Sequence, residues 1–564
     1  MLISSSFNML ENNGVTFVGP SVHAIKMMGD KIESKKLAID AGVSTVPGHM
    51  GVIKDDKEAL TIAKEIGFPV MVKASAGGGG KGMRVVWKEE EMSEAFLSAS
   101  NEARNSFSDD RIFIEKFIEN PRHIEIQVIA DKAGNTVCLG ERECSIQRNN
   151  QKVIEEAPSP FMDEETRQKM YAQSKALAEK VGYYSAGTIE YIMDKNKNFY
   201  FLEMNTRLQV EHPVTELITG KDIVELMINI ALGEKLPFEQ KDITLNGWAM
   251  ESRIYAEDPS RGFLPSSGRI NLYIEPEESA NVRVDSGVYE GGEVSMYYDP
   301  MIAKIIVHGP TRNIARARLV QALGQTRVAG TVTNLGFLGA LARHGGFAKG
   351  EVDTGLIARD LVALTEAHGT PELRGAMLGV AALVGAGIVP GAATGFALWQ
   401  PLEQSIGLSA EGAEVVVTFR LSEGGVQADL RFDGQSYDAT WIDAAWQVAG
   451  QPRFEAVRAA GEVFVFAPGV TLECRIIDPL DRESDVGQGG DVALSPMPGL
   501  VRAVLVEAGQ AVAAGERLAV LEAMKMEHAL TAGRDGVVAE VLCAEGDQVE
   551  AGVVLVRLEP EGEA

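Results

Sequence analysis

Alternation of apolar and polar positions is clearest near the end of the chain, where one pattern occurs twice. Gly499-Leu500-Val501, Gly509, Gly515 and Leu518 through Glu522 form one copy. Gly536-Val537-Val538, Gly546, Gly552 and Leu555 through Glu559 form the other. Each copy reads as a few short strands between turn glycines, so the pair predicts a small two-fold β-sandwich over residues 494–560. The halves meet at Glu522-Ala523-Met524-Lys525-Met526-Glu527, which puts Lys525 at a hairpin tip. Alternation at 414–420 and 428–432, continuing to about 485, predicts a small barrel, linked to the sandwich through Gly487, Gly489 and Gly490. Ahead of the barrel, Gly375 to Trp399 is uncharged and long enough to cross a bilayer. It is dominated by Gly and Ala, holds Pro390 and lacks a flanking basic cluster, so a packed helix followed by a turn is predicted instead.

The first two thirds of the chain mix both periods. Residues 1–49 are a lead-in with helical spacing around Lys31 to Ala41, and residues 50–120 read as a small α/β lid. Residues 121–363 read as a larger mixed domain, and 364–485 as a helix plus the barrel. The predicted class is therefore multidomain, α/β followed by β.

Composition narrows the partners. The chain has 564 residues and a net charge of −27, which argues against nucleic acid or an anionic membrane as a main partner. Its four scattered cysteines give neither a disulfide framework nor a zinc pattern, as in a reducing compartment. No basic region followed by an apolar core opens the chain, so no secretory signal is expected, and a bacterial cytoplasm is. Lysine is plentiful up to Lys304, and beyond it only Lys349 and Lys525 occur. A recombined gene is one expectation from that change, and uniform nucleotide composition across residue 310 would remove it.

Three stretches carry candidate chemistry. Val70-Met71-Val72-Lys73 is a buried-strand pattern running into Gly77-Gly78-Gly79-Gly80-Lys81-Gly82 and then Met83-Arg84-Val85-Val86. Glycines admit positive φ and let backbone N–H groups approach phosphate oxygens, although a flexible turn has the same composition. The run is neither a Walker loop, since Gly follows Lys81, nor a dinucleotide fingerprint. Next, Thr188 to Met193 and Phe199 to Asn205 are strand-like. If Asp194 pairs with Phe199, Glu190 faces Glu203, and two adjacent carboxylates call for a cation such as Mg²⁺, with Asn205 as a further oxygen ligand. Two exposed strand carboxylates are the plain alternative. Finally, Arg207, Gln209 and Glu211 alternate, so an extended backbone would put them on one face: a cation and an amide to hold an oxyanion, and a carboxylate as base. A solvated polar face is the alternative there, and His212 is read as structural.

These residues resemble a known family. Met28-Gly29-Asp30-Lys31, Lys73 with its glycine loop, Glu115-Lys116-Phe117-Ile118, Arg122-His123-Ile124-Glu125, Glu141 through Gln147 and Glu203 through His212-Pro213 resemble the ATP-grasp domain of biotin carboxylase. The Ala-Met-Lys-Met repeat junction resembles a biotinyl domain; lipoyl domains share the fold but usually carry Asp-Lys-Ala. Together they resemble the biotin-containing α subunits of acyl-CoA carboxylases, closest to the propionyl-CoA branch over residues 1–300 and at least as near the methylcrotonoyl-CoA branch after about 310.

The resemblance implies ATP at Lys31, Lys73, Gly78, Gly79, Gly80, Met83, Glu115, Phe117, Ile118, His123 and Gln147. It implies Mg²⁺ or Mn²⁺ on Glu190, Glu203 and Asn205, and bicarbonate on Lys152, Arg207, Gln209 and Val210. Glu211 would deprotonate bicarbonate for attack on the γ-phosphate, and Arg253 would stabilise the biotin enolate. Biotin, attached to Lys525 by a biotin protein ligase, would swing to a carboxyltransferase β subunit in a hetero-oligomer, with the barrel docking that partner. The family also opens with a glycine-containing lobe that this sequence lacks, residues 1–49 standing as its remnant and the lead-in to the ATP-grasp. The expectation is exposed apolar surface, a weakened site, and a carrier-only protein as the alternative function. Asn149-Asn150 stands where Arg-Asn or Arg-His is commoner.

Overall fold

The fold comes from a computed structural model that describes residues 9–10, 13–49, 51, 53–74, 83–107, 111–365, 370–410, 412–459, 461–467, 470–477, 492–523 and 526–559. Gly78, Gly79, Gly80 and Lys525 fall outside these residues, as does the side chain of Lys31.

A four-stranded antiparallel sheet, ordered Gly48–His49, Ile112–Lys116, Val70–Ala74, Met83–Val86, forms the lid. Helices Asp56–Ile66 and Met92–Phe107 cover it, burying Val70, Val72, Ile112 and Ile114 against Ala59, Ile62 and Ala99. Asp55 caps the first helix by accepting from the N–H groups of Lys57 and Glu58.

The body is an eight-stranded antiparallel sheet. Its order is Val282–Ser286, Met301–Gly309, Trp248–Tyr255, Gln151–Ala157, Thr136–Arg148, Arg122–Ala130, Ser185–Met193, Phe199–Asn205. One face carries apolar residues such as Ile124, Ile126 and Ile189, packed with Leu177 and Ala178 of helix Glu164–Val181. The alternate positions of the same strands are charged and equally buried: Glu125, Arg142 and Glu155 are all 0% exposed. A strand pattern that alternates apolar with buried charge is what builds a polar site inside a sheet protein.

Helix Pro371–Gly385 follows the body, and residues 386–402 continue it with no helix or strand. Eight antiparallel strands, from Glu403–Ala410 to Val470–Ile477, curl round that helix. The uncharged run from Gly375 to Gly385 is thereby explained. Gly375 and Gly379 lie where a Cβ would strike Tyr437 and Leu430, so the helix is seated inside the sheet rather than in lipid. Among the described residues no helix is long and apolar enough to cross a membrane.

The C-terminal unit is two four-stranded sheets face to face. The repeat is structural as well as sequential: Gly499–Val504, Ala511–Val512 and Arg517–Ala523 correspond to Gly536–Val541, Gln548–Val549 and Val554–Leu558. The halves are interleaved, because Ala511–Val512 pairs with Gly536–Val541 and Gln548–Val549 pairs with Gly499–Val504. Gly509, Gly515, Gly546 and Gly552, all read as turn residues, each take positive φ, where a Cβ is strained.

Candidate active site

The site is built from two buried carboxylates, each held between two cations. On the lid, Met71 pairs with Glu115, which makes Lys73 and Glu115 diagonal neighbours on one face. Lys73 Nζ donates to Glu115 Oε2 at 2.6 Å. Lys35, from helix Lys31–Asp40, donates to the other oxygen and to the carbonyl of Val46 at 2.9 Å. Burial alone would raise the Glu115 pKa, but Lys73 and Lys35 reverse this and hold it below the usual carboxylate range. Lys35 was not anticipated. It lies one helical turn beyond Lys31, on the same helix face, and that i, i+4 spacing was the available signal.

A cavity of 390 Å³ opens beside this pair, within the range of small-ligand pockets. Lys73, Met83, Glu115, Phe117 and Ile118 line one part of it, and His123, Gln147, Glu190 and Glu203 another. The Phe117 N–H is donated to the carbonyl of Pro69 at 3.1 Å. Gln147 Nε2 lies 2.8 Å from His123 Nδ1, and His123 Nε2 lies 2.9 Å from Glu190 Oε2. Nε2 is near the carboxylate without making a hydrogen bond to it.

Glu190 does face Glu203, but by another route than the expected hairpin. Met193, not Asp194, pairs with Phe199, and a bulge between Glu190 and Tyr191 restores the register. Glu125 pairs with Glu190 on its other side and with Arg142 beyond. Three carboxylates thus stand abreast on adjacent strands, an arrangement that repels itself unless positive charge intervenes. Arg142 and Lys152 supply part of that charge. Fully buried Arg142 reaches Glu125, Gln127, Thr188, Thr215 and Gln209, the last at 2.7 Å. Lys152 Nζ touches Glu125, Glu190 at 3.1 Å and Glu211 at 2.6 Å. Burial pushes Glu125 upward, yet Arg142 and Lys152 bring it down to about 2. Glu190 is likewise lowered, by Lys152 and His123 against its burial. Sequence reasoning had Arg142 inside a quoted motif without a role, and its full burial is a tertiary property that no local pattern announces.

The all-oxygen donor set of Glu190, Glu203 and Asn205 suits a hard divalent ion. Glu190 and Glu203 are opposite partners at the cavity wall, and Asn205 Nδ2 lies 2.8 Å from Glu190 Oε1, so the residues fit Mg²⁺ or Mn²⁺.

Glu211 is the second clamped carboxylate. Its oxygens accept from Lys152 Nζ at 2.6 Å and from Arg253 Nη2 at 2.8 Å. Burial opposes ionisation, but Lys152 and Arg253 keep its pKa below the ordinary value. Arg253 is steadied by Glu155, whose Oε1 accepts from Nε at 2.6 Å. Gln209 is locked at both ends of its amide, Oε1 by Arg142 and Nε2 by Glu190 at 2.7 Å. Lys304 donates to the carbonyl of Val210 at 2.8 Å and so fixes that backbone. His212 is structural as read, with Nδ1 2.8 Å from the carbonyl of Gln209.

The expected alternation of Arg207, Gln209 and Glu211 is not what forms. The strand ends at Asn205, and Glu211 is the N-cap of helix His212–Thr219, with backbone φ −82° and ψ 9°. Gln209 and Glu211 are buried, whereas Arg207 is exposed, its Nη1 donating to the carbonyl of Leu208 at 3.2 Å. Pro213, in the first turn of that helix, was the sequence signal for the break. Asn149 and Asn150 take φ of 49° and 66° between strands Thr136–Arg148 and Gln151–Ala157, a two-residue turn that suits Asn.

Comparison with known proteins agrees with this geometry. Residues 30–239 match the ATP binding domain of the carbamoyl-phosphate synthase L chain, 251–359 the biotin carboxylase C-terminal domain, and 492–558 the biotin-requiring enzyme family. The propionyl-CoA carboxylase alpha chain of Ruegeria pomeroyi is 47% identical, across 98% of this chain and 86% of that one. This chain belongs to the acyl-CoA carboxylase alpha chains. The human mitochondrial propionyl-CoA carboxylase alpha chain is 44% identical over 97% of this chain and 78% of its own. Rat methylcrotonoyl-CoA carboxylase subunit alpha is 38% identical, over 98% and 80%. Among solved structures, the biotin carboxylase domain of Hydrogenobacter thermophilus 2-oxoglutarate carboxylase, in complex with MgADP, ADP and bicarbonate, superimposes with a TM-score of 0.62. It is 46% identical, over 63% of this chain and 79% of that one. Biotin carboxylase from Campylobacter jejuni, in a β,γ-ATP complex, gives 0.61 at 45% identity, over 63% and 78%.

Proposed function

We propose that the chain activates bicarbonate with ATP, loads the carboxyl group onto biotin carried by Lys525, and hands it to a carboxyltransferase β subunit that carboxylates propionyl-CoA. One observation carries the reading: the cavity and the Glu211–Arg253 pair are continuous, because Glu190 lines the cavity and shares Lys152 with Glu211. A nucleotide at the first and an oxyanion at the second would meet at that junction.

ATP is assigned to Lys31, Lys73, Gly78 to Gly80, Met83, Glu115, Phe117, Ile118, His123 and Gln147, to which Lys35 is added. The ammonium groups of Lys35 and Lys73, now spent on Glu115, are available to phosphate oxygens at the cavity wall. Glu190, Glu203 and Asn205 would hold Mg²⁺ or Mn²⁺, which neutralises phosphate charge when bound. Bicarbonate is assigned to Lys152, Gln209, the backbone at Val210, and Arg207 once it turns in from its exposed place. Glu211, ionised at neutral pH, takes the bicarbonate proton. Held between two cations it is a weak base, so transfer must be concerted with attack on the γ-phosphate, as the bicarbonate oxygen grows more acidic on bonding to phosphorus. ADP leaves and carboxyphosphate remains, facing the guanidinium of Arg253. Carboxyphosphate would break down to CO₂ and phosphate; biotin, when bound, would supply the ring nitrogen that bonds to CO₂, and the released phosphate would take that nitrogen's proton.

Propionyl-CoA is preferred over 3-methylcrotonyl-CoA because identity is 47% against 38% across the same share of this chain. A biotin protein ligase is assigned to the modification of Lys525, and a bacterial cytoplasm to the protein. A carrier-only protein is not favoured, since identity extends through the ATP-binding and carboxylase segments. The test is bicarbonate-dependent ATP hydrolysis with free biotin and Mg²⁺. Turnover that disappears in Glu211→Gln supports the proposal, and no turnover in the unaltered chain with Lys525 biotinylated overturns it. Adding the carboxyltransferase subunit and comparing the two acyl-CoAs settles the acceptor.

A further inference from the structure

The carrier sandwich and the carboxylase body meet at a contact that the chemistry above leaves unused. Gln548 Nε2 of the sandwich lies 3.6 Å from Met296 Sδ of the body. Met296 begins a loop whose next two residues, Tyr297 and Tyr298, are 71% and 74% exposed. Two neighbouring aromatic rings in water, beside a methionine, have the composition of a protein-contact surface rather than of a solvated loop.

The position of the loop is informative. The carbonyl of Pro300 accepts the N–H of Ala256 at 2.8 Å, and Met301 pairs with Tyr255. Arg253 lies two residues before Tyr255 on strand Trp248–Tyr255. The loop therefore stands at the Arg253 end of the site. On the sandwich, Gln548 pairs with Leu500, Leu500 with Glu522, and Glu522 with Glu527, so these four form one row across the sheet. The next row is Ala523 and Met526, and Lys525 falls between them in the chain. Gln548 is thus two strand spacings, about 10 Å, from the hairpin that carries the modified residue.

We infer that the Met296-Tyr297-Tyr298 loop is the surface on which the Lys525-bearing end of this chain's own carrier domain docks when its biotin visits the carboxylase site. The inference rests on the carboxylase reading above. A small contact suits a domain that must leave again for a second site, since weak, transient interfaces lie at the low end of buried area. Tyrosine suits it too, because it offers apolar area with a polar tip and little rotamer entropy to lose.

The experiment uses the full-length biotinylated chain. In a Met296→Cys/Gln548→Cys variant, a short bismaleimide should join the two positions within one chain, seen as a mobility change without a change to dimer mass. Each single variant is the control for the partly exposed Cys543. Absence of the intrachain link in a variant of native circular dichroism overturns the docking. Separately, Tyr297→Ser/Tyr298→Ser should leave free-biotin-dependent ATP hydrolysis within about two-fold, yet slow carboxylation of the chain's own biotin at least ten-fold. Equal loss of both activities, or loss of neither, overturns the assignment. If the unaltered chain shows no turnover at all, the carboxylase reading fails, while the cross-link still reports the docking by itself.

Discussion

Glu115 and Glu211 are the same device used for different ends. Each is a buried carboxylate between two cations, and each is kept ionised against its desolvation. The difference lies in what else the cations touch. Among the described residues, Glu115 is the only carboxylate that pairs with Lys35 and Lys73, so it holds two ammonium groups at the wall of the cavity. Lys152 and Arg253 are shared with Glu125, Glu190 and Glu155, so Glu211 is one member of a larger network whose other ion pairs do not depend on its charge. A carboxylate alone with its cations holds charge for a ligand to take over. One embedded in a network can give up its charge to a proton without disassembling the site.

Four results would sharpen or break this comparison, the largest expected first. Glu211→Gln should lower kcat for bicarbonate-dependent ATP hydrolysis by about 10²–10⁴-fold, the usual contribution of a positioned base, with the ATP KM within about three-fold. Arg142→Met should cost about 3–5 kcal/mol in urea unfolding, because it leaves Glu125 buried beside one cation instead of two. Glu115→Gln should do the opposite of Glu211→Gln, moving the ATP KM by roughly ten-fold, or about 1.4 kcal/mol, and kcat by less. If both Gln variants lose kcat alike at saturating ATP, the two carboxylates share one role and the comparison fails.

The smallest effect is in pH. Glu125 has its folded pKa near 2 against an ordinary 4.5, so its contribution to stability is complete above 4.5 and is lost as pH falls toward 2. Acid unfolding followed by circular dichroism should show that limb. In Arg142→Met it should move to higher pH; an unmoved limb would mean that Lys152 alone holds Glu125 down.

The fold was legible wherever one period ran uninterrupted. Phe199–Asn205 forms a strand over the expected residues, Val70–Ala74 covers the expected Val70 to Lys73, and the terminal repeat appears strand for strand. Glu190 opposite Glu203 was also legible, although a bulge, and not the expected loop pairing, produces it. The segment after Asn205 was not, because an alternating polar run looks the same in a strand and in a turn that enters a helix. Arg142 and Lys304 were missed as supports of Gln209 and Val210 for a further reason: their partners come from strands and loops far away in sequence. Burial of charge is decided by those distant partners, and so it is the part of a site that local pattern carries least.

The interleaving of the C-terminal halves would make modification at Lys525, if it occurs there as proposed, a reporter of a completed sandwich. Each half closes its sheet with a short strand lent by the other, and Val492–Leu494 pairs with Val554–Leu558, the last strand among the described residues. A ribosome that has made Lys525 but not residues 548–558 has not yet made the scaffold that holds its hairpin. An enzyme that reads the folded hairpin would therefore modify chains that have completed the sandwich and pass over those cut short within it. Chains ended at residue 547 should accumulate without biotin, and their efficient labelling would show that the hairpin is recognised without its scaffold.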